Sequence, residues 1–118
     1  MATTLQTAAL DRAADRAAEF LRAVAHPGRL RIICALIEGE RSASDLARGA
    51  HLMAPALSQH AAVLESRGLI GRRREAKSVF YSLVAPEAAA LADLLYNLFC
   101  QAPPAKPRRR SVARGKSA

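Results

Sequence analysis

Residues 42–69 read SASDLARGAHLMAPALSQHAAVLESRGL, and this stretch predicts two short helices joined by a turn. Ser42-Ala43-Ser44-Asp45 has the form of a capping box with Asp in the place of Glu, and it opens the first helix. That helix ends near Gly49. Pro55 suits the first turn of the second helix, and Gly68 suits its end. The rest of the chain is placed around this pair of helices.

The second helix of the pair has one apolar face and one face that we expect to be exposed. At about 100° per residue, Leu57, Ala61 and Leu64 fall on the same side and predict the buried face. His60 falls at the boundary between the two faces. The opposite, outward side carries Pro55, Ser58, Gln59 and Ala62.

Two further helices are predicted before this stretch. Residues 9–24 are rich in alanine and follow an amphipathic pattern of period 3.6. Pro27 suits the start of a second helix, which Gly39 ends. Its apolar stripe consists of Leu30, Ile33, Cys34 and Ile37. Because Cys34 lies within the stripe, we expect its side chain to point largely inward.

After residue 68 the pattern changes from a period of 3.6 to a period of 2, which predicts a β-hairpin. Residues 75–78 form its polar turn, and residues 79–83 are rich in strand-forming side chains. Pro86 then suits the start of a last helix, in which leucines recur at helical spacing. The hairpin carries four basic residues: Arg72, Arg73, Arg74 and Lys77.

The order of these elements, α1-α2-α3-α4-β-β-α5, is that of a winged helix-turn-helix, a mainly α fold with a β-hairpin wing. In this fold the second helix of the pair enters the major groove and the hairpin lies along the DNA backbone. A basic strand beside such a helix favours phosphate contact. We expect residues 1–102 to form one DNA-binding domain.

The net positive charge of the chain favours an anionic partner, and its uneven distribution distinguishes the domain from a basic tail. The chain of 118 residues has 18 Lys and Arg against 10 Asp and Glu, a formal net charge of +8. Residues 103–118 hold six of the basic residues and no acidic ones, so the rest carries a net charge of only +2. We expect this segment to be a disordered basic tail, acting either as a solubilising extension or as a nonspecific phosphate-contacting arm. No apolar run is long enough to span a membrane, and we expect a cytoplasmic protein.

Two segments of the chain resemble the ArsR family of bacterial repressors. The first is residues 21–30, LRAVAHPGRL, and the second runs from LSQH at residues 57–60 through Leu64 to Gly68 and Leu69. The resemblance covers roughly residues 13–101. It implies a homodimer, built by the first and last helices, that binds a palindromic operator in double-stranded DNA.

The resemblance also points to the residues that contact DNA. Ser58 and Gln59 are candidates for hydrogen bonds at base edges, since Gln suits the paired N6 and N7 groups of adenine. The resemblance places His60 near DNA too, although a hydrogen-bonded structural role is an open alternative. Met53 and Ala54 differ from the polar residues usual in the family just before this helix.

The pattern of this sequence disfavours a metal ion as the effector. Metal sensors of the family place paired cysteines near the third helix, or Asp, His and Glu clusters on the last helix, because a metal site needs three or four ligands. Residues 40–45 contain no cysteine, and the last helix contains no histidine. No cofactor is predicted. The sequence shows no Cys-His arrangement or phosphate loop, so we expect no enzyme.

The two cysteines are the remaining candidates for sensing. The contexts LRIICALIEGE around Cys34 and LYNLFC before Cys100 look very like those of the dithiol persulfide sensors of the family, the biofilm-growth-associated and sulfide-responsive repressors. This resemblance implies that reactive sulfur species link Cys34 to Cys100 through a di- or polysulfide and release the DNA. A metal between subunits, a general oxidant or no effector at all remain alternatives, as does a core role for Cys34.

Overall fold

A computed structural model of the chain describes residues 4–100. Tyr96–Cys100 continues the last helix as a π-helical turn. The helices and strands, in chain order, are α1 (Thr4–Val24), α2 (Pro27–Ala35), β1 (Arg41–Ser42), α3 (Ala43–Ala50), α4 (Ala54–Ser66), β2 (Ile70–Glu75), β3 (Ser78–Leu83) and α5 (Pro86–Leu95). This is the predicted winged helix-turn-helix, with the short strand β1 added. The predicted tail lies outside the described residues.

Local capping explains where the helices of the central pair begin and end. The Ser42 hydroxyl accepts a hydrogen bond from the Asp45 N–H at 3.2 Å and so caps α3, as the capping-box pattern predicts. His51 ends α3 in the left-handed region with φ 58°. Helix α4 has Pro55 in its first turn, and no side chain caps it at Met53. The predicted bounds of the pair are therefore confirmed to within one or two residues.

The core is built mainly from aliphatic side chains of all five helices and of the sheet, with Tyr81 of β3 among them. Leu57, Ala61 and Leu64 of α4 are buried, as their helical spacing predicts. The same core holds Val24, Ile32, Ile33, Leu36, Leu46, Leu69, Ile70, Ala88 and Ala92. With its inner side packed into this core, α4 presents its other side to solvent.

The three strands form an antiparallel sheet in the order β1-β3-β2. Glu75 pairs with Ser78, so Ala76 and Lys77 form a two-residue hairpin turn, in which Ala76 has φ 56°. The hairpin prediction is confirmed. Strand β1 is only two residues long and gives no alternating pattern, which is why the sequence does not predict it.

The prediction that Cys34 points largely inward is wrong, because its side chain is exposed. The buried face of α2 is centred on Ile32, Ile33 and Leu36 and not on the predicted stripe. Ile33 is common to both faces, but Ile37 is exposed. The spacing of apolar residues predicts the correct helical period for α2. The predicted buried face, however, is rotated about the helix axis by about one residue, or about 100°, from the observed one.

Candidate DNA-reading face and cysteine pocket

The outward face of α4 carries the side chains predicted to meet DNA bases. Pro55, Ser58, Gln59 and Ala62 are all exposed, as predicted. Residues 51–64 contain no Lys, Arg, Asp or Glu. Ser58 and Gln59 are therefore the exposed hydrogen-bonding side chains of this face, and cationic contacts with phosphates have to come from other elements.

Two arginines of α2 fix the position of the helix pair. The Arg31 guanidinium donates to the carbonyl oxygen of Ala50, the last residue of α3, at 2.8 Å. Arg29 donates to the Ala23 carbonyl oxygen at 3.0 Å and to Nδ1 of His60 at 3.2 Å. Helix α2 thus holds the end of α3 and the middle of α4 together.

His60 lies between α4 and the start of α2, where it is half-buried. Its ring centroid is 4.3 Å from that of His26, whose own Nδ1 accepts the Gly28 N–H. Burial lowers the pKa of His60, and the neighbouring His26 and Arg29 lower it further. As a neutral ring that accepts the Arg29 hydrogen bond, His60 helps to position α4 against α2. Its contact with DNA stays a prediction.

The wing arginines do not form one uniform basic surface. Side chains alternate along β2, so Arg73 shares a face with Glu75 and with its cross-strand partner Phe80. The Arg73 guanidinium donates to both Glu40 oxygens at 2.7 and 2.8 Å, donates to Glu75 at 2.7 Å, and lies 4.6 Å from the Phe80 ring centroid. Arg73 is thus held by two carboxylates and an aromatic ring.

The ionisation of this cluster follows from its geometry. Hydrogen bonding to Glu40 and then to Glu75 raises the pKa of Arg73, and the Arg73 hydrogen bonds lower the pKa of Glu40. The ion pair between Arg73 and Glu40 therefore stays charged to a lower pH than an unpaired glutamate would. Glu40 was not predicted as part of the wing, because it is 33 residues from Arg73 in sequence.

The other basic residues of the wing make fewer ion pairs than Arg73 does. Arg72 lies 3.7 Å from a Glu65 oxygen on α4. Within residues 4–100, neither Arg74 nor Lys77 takes part in an ion pair. Lys77 stands in the hairpin turn and Arg74 precedes that turn by two residues. These two residues are the cations of the wing that are best placed to meet a phosphate.

This difference predicts that Arg74 and Arg73 contribute unequally to DNA binding. Replacing Arg74 with Ala should lower affinity for any duplex and reduce the slope of log K against log salt by about 1 for each bound protomer, because each loses one phosphate contact. Replacing Arg73 with Ala should leave the slope close to that of the wild type, since its charge is already paired. Fluorescence anisotropy titrations across a salt series measure both slopes, and a larger change for Arg73 than for Arg74 would contradict the assignment.

Cys34 and Cys100 line the same cavity, which lies between α2 and the last helix, formed by α5 and the π-helical turn that follows it. The cavity has a volume of about 510 Å³. We call it the cysteine pocket, and its lining residues are Cys34, Ala35, Ile37, Glu38, Arg41, Ala92, Asp93, Tyr96 and Cys100. Two thiols that are 66 positions apart in sequence are therefore brought to one site.

The pocket affects the ionisation of Cys34. Partial burial raises the pKa of the Cys34 thiol, and the neighbouring Cys100 raises it further because two thiolates repel each other. Arg41 stands at the rim, where it donates to the Ala35 carbonyl at 2.6 Å and lies 3.8 Å from Glu38. At neutral pH the Cys34 side chain is predominantly the thiol, which limits its nucleophilicity.

This geometry predicts the pH dependence of Cys34 alkylation. In the wild type, the rate with iodoacetamide should rise with a midpoint above about 8.5, the pKa of an unperturbed cysteine. Replacing Cys100 with Ser should move the midpoint to lower pH, since the repelling thiolate is gone. Peptide mass spectrometry at a series of pH values gives the rates, and a midpoint that does not change would show that the two thiols do not interact.

Large apolar side chains remain exposed on the first and last helices. Leu94 is 52% exposed, Leu98 64% and Phe99 77%, and on α1 Leu10 is 65% exposed. The leucine repeat of the last helix is therefore only partly buried in the core. An unburied apolar surface of this kind is typical of a protein–protein interface.

Among residues 4–100, no three His, Cys, Asp or Glu side chains come close enough to hold a metal ion together. No helix in the described part of the chain is long and apolar enough to cross a membrane.

Comparison with known proteins identifies the family. The biofilm growth-associated repressor of Agrobacterium fabrum is 40% identical over 92 residues, which cover 78% of this chain and 79% of that protein. Reduced HlyU from Vibrio cholerae superposes with a TM-score of 0.74 and 39% identity, covering 78% of this chain and 97% of that chain. The transcriptional repressor BigR from Xylella fastidiosa superposes with a TM-score of 0.77 and 35% identity, covering 81% of this chain and 98% of that chain.

These relatives are transcriptional regulators, and the match to the family lies in the DNA-binding part of the chain. Residues 26–71, from the cap of α2 to the start of the wing, match the family described as bacterial regulatory protein, arsR family. HlyU of Vibrio cholerae is called a transcriptional activator, at 40% identity over 93 residues. The chain belongs to the ArsR family of winged helix-turn-helix transcriptional regulators.

Proposed function

We propose that this regulator is a repressor that leaves its operator when reactive sulfur species link Cys34 to Cys100. The observation that carries the proposal is the cysteine pocket, in which both thiols line one cavity between α2 and the end of the chain's last helix. Both cysteines are exposed, so a small sulfur donor can reach them. A structure of the relative HlyU in a state described as reduced also fits a protein whose redox state matters.

The link can form with a persulfide, RSSH, as the only oxidant. The persulfide transfers its outer sulfur to one cysteine thiol, which leaves a cysteine persulfide and the thiol RSH. The thiolate of the other cysteine attacks the inner sulfur of that persulfide, forms the S–S bond and expels hydrosulfide. If both cysteines have gained a sulfur atom, the terminal sulfur of one attacks the inner sulfur of the other. The product is then a trisulfide, again with loss of hydrosulfide.

The volume of the pocket supports a bridge that contains added sulfur atoms. A direct disulfide needs Cα atoms about 4.4 to 6.8 Å apart, and each inserted sulfur extends that reach. A cavity of about 510 Å³ can hold such atoms without displacing the core. The pocket would thus accommodate the trisulfide that a persulfide can form.

The consequence for DNA follows from what α2 holds. Arg29 and Arg31 of α2 anchor α4 and the end of α3. The exposed leucines of the last helix and of α1 support a homodimer through these helices. A link between α2 and the last helix would thus connect the DNA-reading unit directly to the dimer interface. Two recognition helices that must fit half-sites about 34 Å apart tolerate little relative movement.

The proposed DNA contacts divide into bases and phosphates. Ser58 and Gln59 would read base edges from the outward face of α4, with Pro55 beside them. Arg74 and Lys77 would contact phosphates from the wing, with a smaller contribution from Arg72. The partner would be a palindromic double-stranded operator, and the basic segment 103–118 would add nonspecific affinity.

A general oxidant is the second candidate inducer, and the exposure of both thiols favours it. Peroxide would oxidise one thiolate to a sulfenic acid. The other thiol would then condense with this sulfenic acid to form a disulfide, with loss of water. This route adds no sulfur atom, so its product differs in mass from the trisulfide that only a persulfide can form.

Intact-protein mass spectrometry after glutathione persulfide, glutathione disulfide or peroxide separates these candidates when operator affinity is measured on the same samples. The proposal expects loss of DNA binding and a Cys34–Cys100 link in the peptide map with the persulfide alone, either as a trisulfide with one added sulfur atom or as a direct disulfide. Equal release by peroxide would favour the general oxidant. Unmodified cysteines with unchanged affinity would remove the thiols from the mechanism.

A further inference from the structure

The start of α4 presents an apolar tip to solvent, which we define as Met53, Ala54 and Pro55. All three residues are exposed, and Met53 is 78% exposed, as much as Phe99 at the end of the chain's last helix. The Met53 side chain therefore does not pack into the core. It does not cap the helix either, since no side chain accepts the first N–H groups of α4.

The backbone at the tip is fixed although its side chains are free. The Leu52 N–H donates to the Ala47 carbonyl at 2.9 Å, and the Met53 carbonyl accepts the Leu57 N–H at 2.9 Å. These bonds join the tip to α3 on one side and to α4 on the other. Met53 therefore projects from a defined position, and its unbranched side chain can adapt to a surface it meets.

The tip is continuous with the outward face of α4. Pro55 belongs to both, and Ser58 and Gln59 follow it by one helical turn. The N-terminal residues of a recognition helix are the ones that reach base edges in the major groove. Because residues 51–64 carry no Lys, Arg, Asp or Glu, the side chains of this tip cannot contribute a charged phosphate contact.

An apolar side chain that enters the major groove has one apolar partner there, the C5-methyl group of thymine. We propose that Met53 is a specificity-determining residue that contacts thymine methyl groups in each half-site of the operator. The inference rests on the proposed DNA-reading role of α4. It adds a second kind of readout to the hydrogen bonds of Ser58 and Gln59, and it predicts thymine at the positions that face the start of the helix.

The test removes the methyl group without changing any hydrogen bond. A duplex is first selected from a random DNA pool by the reduced, full-length protein, and each thymine of the selected site is then replaced by deoxyuridine. At one or two positions in each half-site, the replacement should weaken binding about fourfold, the factor that burial of one methyl group, about 0.8 kcal/mol, implies. A duplex with cytosine at that position should likewise bind more tightly when the cytosine is replaced by 5-methylcytosine, because the methyl group returns.

Variants of Met53 assign the effect to this side chain. M53A and M53Q should bind the thymine and deoxyuridine duplexes equally, whereas M53L should keep the preference for thymine. V84A is the matched control, because Val84 is an exposed apolar residue, 57% exposed, that lies outside α4. This control should discriminate as the wild type does.

Several results would overturn the inference. Wild-type binding that ignores every deoxyuridine replacement would exclude methyl readout, and a deoxyuridine effect that persists unchanged in M53A would exclude Met53 as the residue that makes the contact. In both cases the selected site would still be bound specifically, so the proposed function would stand. A selection that enriches no sequence would instead refute the DNA-reading role of α4, and this inference would fall with it.

Discussion

A chain in which serine replaces Cys34 or Cys100 should remain on its operator after treatment with a persulfide that releases the wild type. Both proposed routes end in a sulfur bridge between the two cysteines, and a serine hydroxyl cannot complete that bridge. Both side chains are exposed and neither belongs to the outward face of α4, so the reduced variants should bind DNA as the wild type does. The wild type should lose affinity by about 5- to 150-fold, the usual range of coupling between two sites.

Electrophoretic mobility shifts before and after glutathione persulfide measure this difference. A reductant added afterwards should restore wild-type binding, which separates reversible linkage from damage. The C34S/C100S double variant provides the baseline for cysteine-independent effects. A single-cysteine variant that responds like the wild type would rule out the two-thiol switch, even if that cysteine is modified.

Replacing Gln59 with Ala should weaken binding to the operator more than binding to unrelated DNA. A bidentate contact between glutamine and adenine contributes about 1 to 3 kcal/mol of discrimination, which is about 5- to 150-fold in the ratio of the two affinities. Gln59 is exposed and the core lies on the other side of α4, so the variant should fold normally. Ala62→Ser, on the same face, is a control for small changes that remove no hydrogen bond.

The measurement is the ratio of operator to nonspecific affinity at one salt concentration. Unfolding by denaturant checks that the free energy of unfolding is unchanged. An equal loss on both kinds of DNA would show that Gln59 contributes to general affinity and not to base readout.

The parts of the fold that were predictable are those with a local cause. Ser42 accepts the Asp45 N–H, Pro55 stands in the first turn of α4, and residues 76 and 77 form a tight turn. Each of these depends on residues within a few positions of one another. The buried face of α4 was predictable for the same reason, since its spacing leaves one apolar side.

The parts that were not predictable depend on contacts between distant segments. The stripe containing Cys34 has the right period, but the neighbours of α2 decide that Ile32 and Leu36 face the core. In the sequence, Arg73 is one of three consecutive arginines that look equivalent. Only the fold places Glu40 within hydrogen-bonding distance of it. The resemblance paired the two cysteines, and the fold supplies the pocket they line together, with Arg41 and Glu38 at its wall.

The cysteine pocket and the outward face of α4 have no residue in common. A gene duplication could therefore change the operator through positions such as 58 and 59 while the descendant keeps its inducer. Substitutions around the pocket could equally alter the inducer while the descendant keeps its target promoters. Such independent inheritance lets one scaffold diversify into many regulators, because neither trait has to be rebuilt when the other changes.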